Sequence, residues 1–266
     1  MDLYQNRIVF FFDILGFRDL VDKEYQNNQD NCTNILNIFK FIRKFYEDEI
    51  TEKYVKSKEI TFFSDSVIIS FEEQEEDQFF KTLFDLQILI LRLVKRNILI
   101  RGSISYGKLF HDDDFILGPA FIDAYDLETK KAIVPRIICD KDIILQAHKN
   151  KDNNSFQQDL PYLLELFDID IDGQLYVDYY DKLRGVFDDD KQYFEYMVSL
   201  KNIIAATLNT STSHNIRSKY LWMREKFNKS VVKNFSKSIG VSHDLMTLFS
   251  QVCRFRSMLT HHSVLC

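Results

Sequence analysis

The sequence predicts an α+β fold, a ferredoxin-like sheet with helices on one face and a helical extension at its C-terminal end. Three observations lead there. Strand-like and helix-like runs follow one another as β-α-β-β-α-β through residue 106. The two middle strands are separated only by Ser64-Asp65-Ser66, which makes them a hairpin. From residue 191 onward the apolar spacing is helical.

Each element has its own signal. Residues 7–12 (RIVFFF) are a continuous apolar, β-rich run that stops at Asp13, as a strand buried on both faces does. Over residues 31–50, Ile35, Ile38, Phe39, Ile42, Phe45 and Tyr46 recur at helical spacing. Glu59–Phe63 and residues 67–71 are the hairpin strands. Residues 77–96 form an amphipathic helix with Phe80, Leu83, Phe84, Leu91 and Val94 on its apolar side. Residues 98–106 are a strand expected to end at Gly107, and His111-Asp112-Asp113-Asp114 reads as a solvated turn. A helix is expected over 119–131 and a strand over 134–139. Asp172-Gly173 sits between short β-rich runs in 167–180, a small hairpin. Helices follow over 193–208 and 215–228. The expected organisation is one α+β domain over 1–185 and a helical extension over 186–266, packed on the core or on a partner subunit.

Composition excludes several classes. With 266 residues, 45% hydrophobic and 28% charged, the chain has material for a large core. A net charge of −6 from 34 basic and 40 acidic residues argues against a broad nucleic-acid surface, while leaving room for a local phosphate pocket. The cysteines Cys32, Cys139, Cys253 and Cys266 form no CxxC pair and read as reduced thiols of a cytoplasmic protein. Asp13 interrupts the N-terminal apolar run, so no signal peptide is expected. Residues 83–100 carry Asp85, Arg92, Lys95 and Arg96, so no membrane span is expected there. His261-His262 near Cys253 lack a fourth metal ligand at suitable spacing. Lys219, Arg224, Lys226, Lys229, Lys233 and Lys237 read as a solvated helix face before an RNA-binding one. There is no Walker-type loop and no nucleophile elbow.

Two carboxylates stand where the strand pattern makes them converge. Asp13 closes the first strand and Asp65 sits at the hairpin tip. Beside one another they are a cradle for two Mg²⁺ or Mn²⁺ ions, which support in-line phosphoryl transfer. The amides of the segment after Asp13, with Gly16 allowing close backbone approach, could hold phosphate oxygens. The same residues also read as a helix N-cap and an ordinary turn aspartate.

FFDILGF (11–17), FFSDSVIISF (62–71), RGSISYG (101–107) and GPAFIDAYDLE (118–128) occur in the order seen in class III nucleotide cyclases. Over roughly the first 140 residues the chain resembles that palm-type family. It looks most like the bacterial stand-alone cyclases of the Pycsar antiphage systems, and NIRSKYLWMREKFN (215–228) is similar to their tail. The resemblance implies metal binding by Asp13, Ile14 and Asp65, and triphosphate binding by Ile14, Leu15, Gly16, Phe17 and Arg18. It places Thr61 and Phe115 where purine cyclases read the base, and Ile122 and Asp126 where they carry the transition-state Asn and Arg. Arg101 and Arg136 are the candidate replacement cations. A structural ion pair is the other reading of Arg101, and a sheet-edge or interface role that of Arg136. Tyr106 and Tyr125 could touch base or ribose, or simply pack in the core.

The implied activity is conversion of a nucleoside triphosphate, UTP or CTP, to its 3′,5′-cyclic monophosphate and pyrophosphate. The implied assembly is a head-to-tail homodimer with composite sites, with a product-sensing effector protein downstream and neither membrane nor nucleic acid as partner. An inactive nucleotide-binding relative and a palm-type dinucleotide synthase are the other readings.

Overall fold

The computed structural model describes residues 3–27, 33–48, 57–72, 78–141, 143–144 and 165–235. Its centre is β1 (Gln5–Ile14), paired antiparallel with β3 (Ser66–Glu72) on one side and β4 (Ile100–His111) on the other. Outside β3 lies β2 (Glu59–Phe63). Beyond β4 the sheet continues through β6 (Ile137–Cys139), β8 (Leu175–Val177) and β7 (Phe167–Ile169), while β5 (Ile116–Leu117) pairs with the end of β4. The path is β2-β3-β1-β4-β6-β8-β7, a mixed sheet in which β6 runs parallel to β4 and the other pairs are antiparallel.

The unbroken apolar run of β1 is explained by burial on both faces. Ile8, Phe10, Phe12 and Ile14 point into the main core, with Ile42, Leu83, Leu86, Tyr193 and Met197 from the helices. Those helices are α2 (Thr33–Asp48), α3 (Gln78–Val94) and α5 (Asp190–Thr210), and α6 (His214–Phe235) adds Met223 and Phe227. Val9 and Phe11 point the other way, under α4 (Pro119–Lys130), with Ala120 and Ala124. α4 is fastened by two short hydrogen bonds: Ser103 Oγ donates to the Ala124 carbonyl and Ser105 Oγ to that of Ala120, each at 2.6 Å. It lies over β4 and β1.

Several expectations are corrected. The helix α1 (Phe17–Asn27) is separate from α2 and carries no broad apolar stripe, since Phe17 and Leu20 are its residues packed on the core. β4 does not stop at Gly107. It runs on to His111 because Leu109 still pairs with Gln5 and β5 pairs with Phe110 and His111. His111 is therefore a buried strand residue, 6% exposed, and not part of a solvated turn. The turn is made by Asp112, whose carboxylate accepts from the amides of Asp114 and Phe115. The strand expected over 134–139 is only three residues long. Cys139 is a buried thiol, whereas Cys32, Cys253, Cys266, His261, His262 and Lys237 lie outside the described residues. No described helix is long and apolar enough to cross a membrane.

Candidate active site

Strand register decides the first contact. Asp13 and Arg101 are direct partners across β1 and β4. Both project toward the α4 face, because their neighbours Phe12, Ile14 and Ile100 face the main core. Arg101 donates to the Asp13 carboxylate from Nη2 at 3.0 Å and from Nε at 3.4 Å. This close approach needs the glycine that follows: a Cβ on Gly102 would sit 2.3 Å from the carbonyl oxygen of Phe11. The same Nη2 forms an ion pair with Glu128 of α4, without the angular geometry of a hydrogen bond. Glu128 is brought there by helical spacing, as the third member of the buried series Ala120, Ala124, Glu128.

Asp65 arrives from the β2–β3 turn. Ser64 takes a left-handed conformation there (φ 54°), and the Asp65 carbonyl accepts from the Ile14 amide at 3.1 Å, tying the turn to the end of β1. After Asp13 the chain turns through Leu15 and Gly16, with Gly16 at φ 76°, directly into α1. Ile14 is buried in the core, and Phe17 packs edge-on against Phe39. What Ile14, Leu15, Gly16, Phe17 and Arg18 present beside Asp13 is therefore a backbone turn and the first turn of a helix.

The electrostatics are those of three acids sharing one half-buried cation. Burial raises the Asp13 pKa above the ordinary carboxylate range, opposed by the hydrogen bond and charge of Arg101 and reinforced by Asp65. Burial, with the charges of Asp13 and Asp65, pushes Glu128 up to about 7 against the pull of Arg101 and Lys219. Burial alone would lower the Arg101 pKa, but Asp13, Glu128 and Asp65 hold it above its ordinary value. Lys219 of α6 joins the same field: burial and Arg101 depress its ammonium, while Asp13 and Glu128 favour its charge.

Other expected site residues go elsewhere. Arg136 is 2% exposed and committed to Asp170, to Asp172 and to the Lys131 carbonyl, a network that also receives Trp222 and Lys226 from α6. It fastens the β7–β8 turn and α6 to the start of β6, and it is not brought to the Asp13 carboxylate. Phe115 follows the far end of β4 and is 60% exposed. Ile122 is exposed on α4, and Asp126 pairs with Lys130 on the outward side. Thr61 lies on β2 and is bonded to His111. Tyr106 packs partly in the core, and the Tyr125 ring stands edge-on to Phe11. Glu128 and Lys219 are the residues that sequence reasoning left out. An acid at four-residue spacing from two alanines on α4 was the legible sign of the first.

Among the described residues no group of three or more His, Cys, Asp or Glu side chains is arranged to cage a metal ion. Two carboxylates from adjoining strand ends nevertheless fit Mg²⁺ or Mn²⁺, which ordinarily keep waters and substrate phosphates as their remaining ligands. The buried Glu128 Oε1, without a hydrogen bond, adds negative potential at the same place.

No protein-family model and no curated protein matches the chain. Among solved structures it is similar to a bacterial light-regulated adenylyl cyclase at 16% identity and TM-score 0.40, over 66% of this chain and 91% of that one. It is also similar to the adenylyl cyclase CyaB from P. aeruginosa at 18% identity and TM-score 0.35, over 65% of this chain and 93% of that one.

Proposed function

We propose that the chain is a homodimeric, metal-dependent nucleotidyl cyclase that converts UTP or CTP to the 3′,5′-cyclic monophosphate and pyrophosphate. Its place is as a second-messenger synthase in antiphage defence, answered by a product-sensing effector protein. The observation that carries the reading is the meeting of Asp13 and Asp65 at adjoining strand ends, with the half-buried Arg101 and the buried Glu128 beside them.

Asp13 and Asp65 would hold the divalent ions. When bound, these acidify the ribose 3′-hydroxyl and take up charge on the β- and γ-phosphates. The 3′-oxygen would then attack the α-phosphorus, giving its proton to solvent water, while the bond from the α-phosphorus to the bridging oxygen breaks and pyrophosphate departs in line. Arg101 is the cation nearest to this carboxylate pair, and Glu128 positions it by the second ion pair when Asp13 turns to another cation. The Leu15 amide is bonded to the Leu99 carbonyl, so the amides that Gly16 and the opening of α1 present are the ones on offer to the phosphates. The exposed apolar side chains Phe115, Leu117, Ile122 and Tyr125 support a second copy docked on the α4 face, with the base read between chains.

One observation favours a second reading, a nucleotide-binding protein without turnover: Ile122 and Asp126 supply no transition-state donors. Incubation with each of the four nucleoside triphosphates and Mn²⁺, with mass identification of products, separates the two. The cyclase reading expects a cyclic mononucleotide whose formation is lost in Asp65→Ala. It fails if no nucleotide is converted, or if that variant keeps full activity.

A further inference from the structure

A polar cleft of about 110 Å³ lies between the β7–β8 pair, the segment that follows β8 and the later turns of α6. Lys226, Lys229 and Lys233 stand about two to four helical turns beyond Lys219. Their three- and four-residue spacing sets them on one side of α6, where with Ser230 they form a wall of the cleft. From the sheet side come Asp168 and Tyr176, direct partners across β7 and β8, followed by Asp178, Tyr180 and Asp181. The Asp13 site uses none of these residues.

Asp178 is the acid here without a counter-ion. It is 5% exposed, and its Oδ1 accepts from the amides of Tyr180 at 2.8 Å and Asp181 at 3.4 Å. Among the described residues its Oδ2 makes no hydrogen bond and no ion pair, although four lysines line the same cleft. Each of those lysines is engaged elsewhere. Lys226 pairs with Asp170 at 2.8 Å, Lys229 with Asp168 at 3.7 Å and Lys233 with Asp181, while Lys182 donates to the Phe167 carbonyl. The Tyr176 hydroxyl donates to Asp168 and that of Tyr180 to Tyr179, so neither proton serves Asp178. Burial raises the Asp178 pKa against its two amide bonds, and Asp181 and Asp168 add to the rise. A carboxylate at that depth, with one oxygen open to a cleft, is costly until a cation reaches it.

The lining selects the kind of molecule that fits. Among the described residues no three His, Cys, Asp or Glu side chains are arranged to hold a metal ion, so a bare divalent cation is poorly served. An organic ammonium is better served, with one carboxylate oxygen to accept from it and the rings of Tyr176 and Tyr180 alongside. A polyamine would meet four lysines, and a simple anion three carboxylates. A molecule carrying both signs matches both sets. The Lys229 and Lys233 side chains are 71% and 65% exposed, and ion pairs so near solvent are weak enough to be exchanged for a ligand anion. The cleft has room for several waters, hence for a molecule of few heavy atoms. We propose that it binds a small zwitterion, a primary ammonium joined by a short chain to a carboxylate or phosphate, with the ammonium on Asp178 and the anion on Lys229 and Lys233.

The test uses the native chain with two probes of that design, β-alanine and phosphoethanolamine, against the half-molecules ethanolamine, acetate and inorganic phosphate. Binding is read by calorimetry and from the NMR shifts of the Tyr180 and Asp181 amides, the two donors to Asp178. At least one zwitterion should saturate those shifts below about 10 mM and bind at least about tenfold more tightly than any half. Asp178→Asn keeps an oxygen for the two amides and removes the charge, and it should weaken binding at least about tenfold. Replacing Lys229 and Lys233 together by Gln should weaken it at least about threefold. The proposal is overturned if neither zwitterion saturates, if a half binds as well as the whole, or if either substitution leaves the affinity unchanged. Comparing whole with half needs no variant, so the outcome stands even if Asp178→Asn does not fold. No nucleotide enters the measurement, and its result is independent of the cyclase reading.

Discussion

Arg101 stands directly opposite Asp13 across β4 and β1, with its Nη2 3.0 Å from the Asp13 carboxylate, and the same nitrogen contacts Glu128. One guanidinium thus serves two acids, and any divalent ion approaching Asp13 competes with it. Replacing Arg101 by Gln removes both that competition and a positive charge. Mn²⁺ titration followed by calorimetry should show tighter ion binding than in the native protein, while any cyclase turnover falls at least about tenfold. Weaker Mn²⁺ binding in the variant would contradict this role of the pair.

Glu128 gives the site a pH signature. Its pKa in the folded protein, about 7, lies above the ordinary glutamate value of 4.5, so between these two limits the folded state holds more protons than the unfolded one. Stability therefore falls as pH rises through that window, and none of this contribution remains to be lost above about 7. Thermal melts from pH 5 to 8 should show a flatter dependence in Glu128→Gln than in the native protein. An unchanged slope would mean that the carboxyl is not the titrating group.

The Arg136 network should matter for stability more than for chemistry. Asp170 and Arg136 are each 2% exposed at the side chain, and Asp170 also takes Lys226 and Trp222. Removing one partner of a buried pair leaves the other charge uncompensated, which costs about 3–5 kcal/mol. Asp170→Ala should lose stability of that order in urea denaturation, with α6 loosened first in hydrogen exchange. A loss below about 1 kcal/mol would show that water already solvates Arg136.

Gly102 is held between strands by sterics. A methyl group there meets the Phe11 carbonyl and the Phe12 backbone. Gly102→Ala should cost about 1–3 kcal/mol and should disturb the Asp13–Arg101 pairing next to it, visible as altered Mn²⁺ affinity. Full retention of both would show that β1 and β4 can separate freely.

Ile122 tests the assembly. It is 60% exposed on the outward side of α4, beside exposed Tyr125. For the proposed homodimer, light scattering should report a dimer for the native protein and a monomer for Ile122→Glu, because a buried, unpaired carboxylate opposes association. A dimer that survives this change would place the interface elsewhere.

The hairpin, β1 and the two long C-terminal helices were legible because each has a strong local period or an abrupt polar stop, as at Asp13 and Ser64-Asp65-Ser66. Of α1 only the entry after Asp13 was legible and not its extent, since a mostly exposed helix shows little apolar stripe. The last turn of β4 was missed for another reason: Gly107 looks like a terminator locally, yet its pairing with Arg7 carries the strand onward. Arg136 and Glu128 exchanged roles for a related cause. Arg136 follows Val134-Pro135 in the sequence without any sign of Asp170 and Asp172, which reach it from about 35 residues away. Glu128 is one acid among 40 until α4 is laid on β4.

By itself, then, the sequence determined most of the elements, the buried central strand and the two aspartates at its end and at the hairpin tip, because these depend on periodicity and local turn chemistry. Only the tertiary structure decided which cation neutralises Asp13, that Glu128 and Lys219 share its field, and that His111 is a buried link and not a solvated turn. Those are through-space facts. They follow from strand register and from the face on which each residue lands, and neither can be read from the neighbours of a residue along the chain.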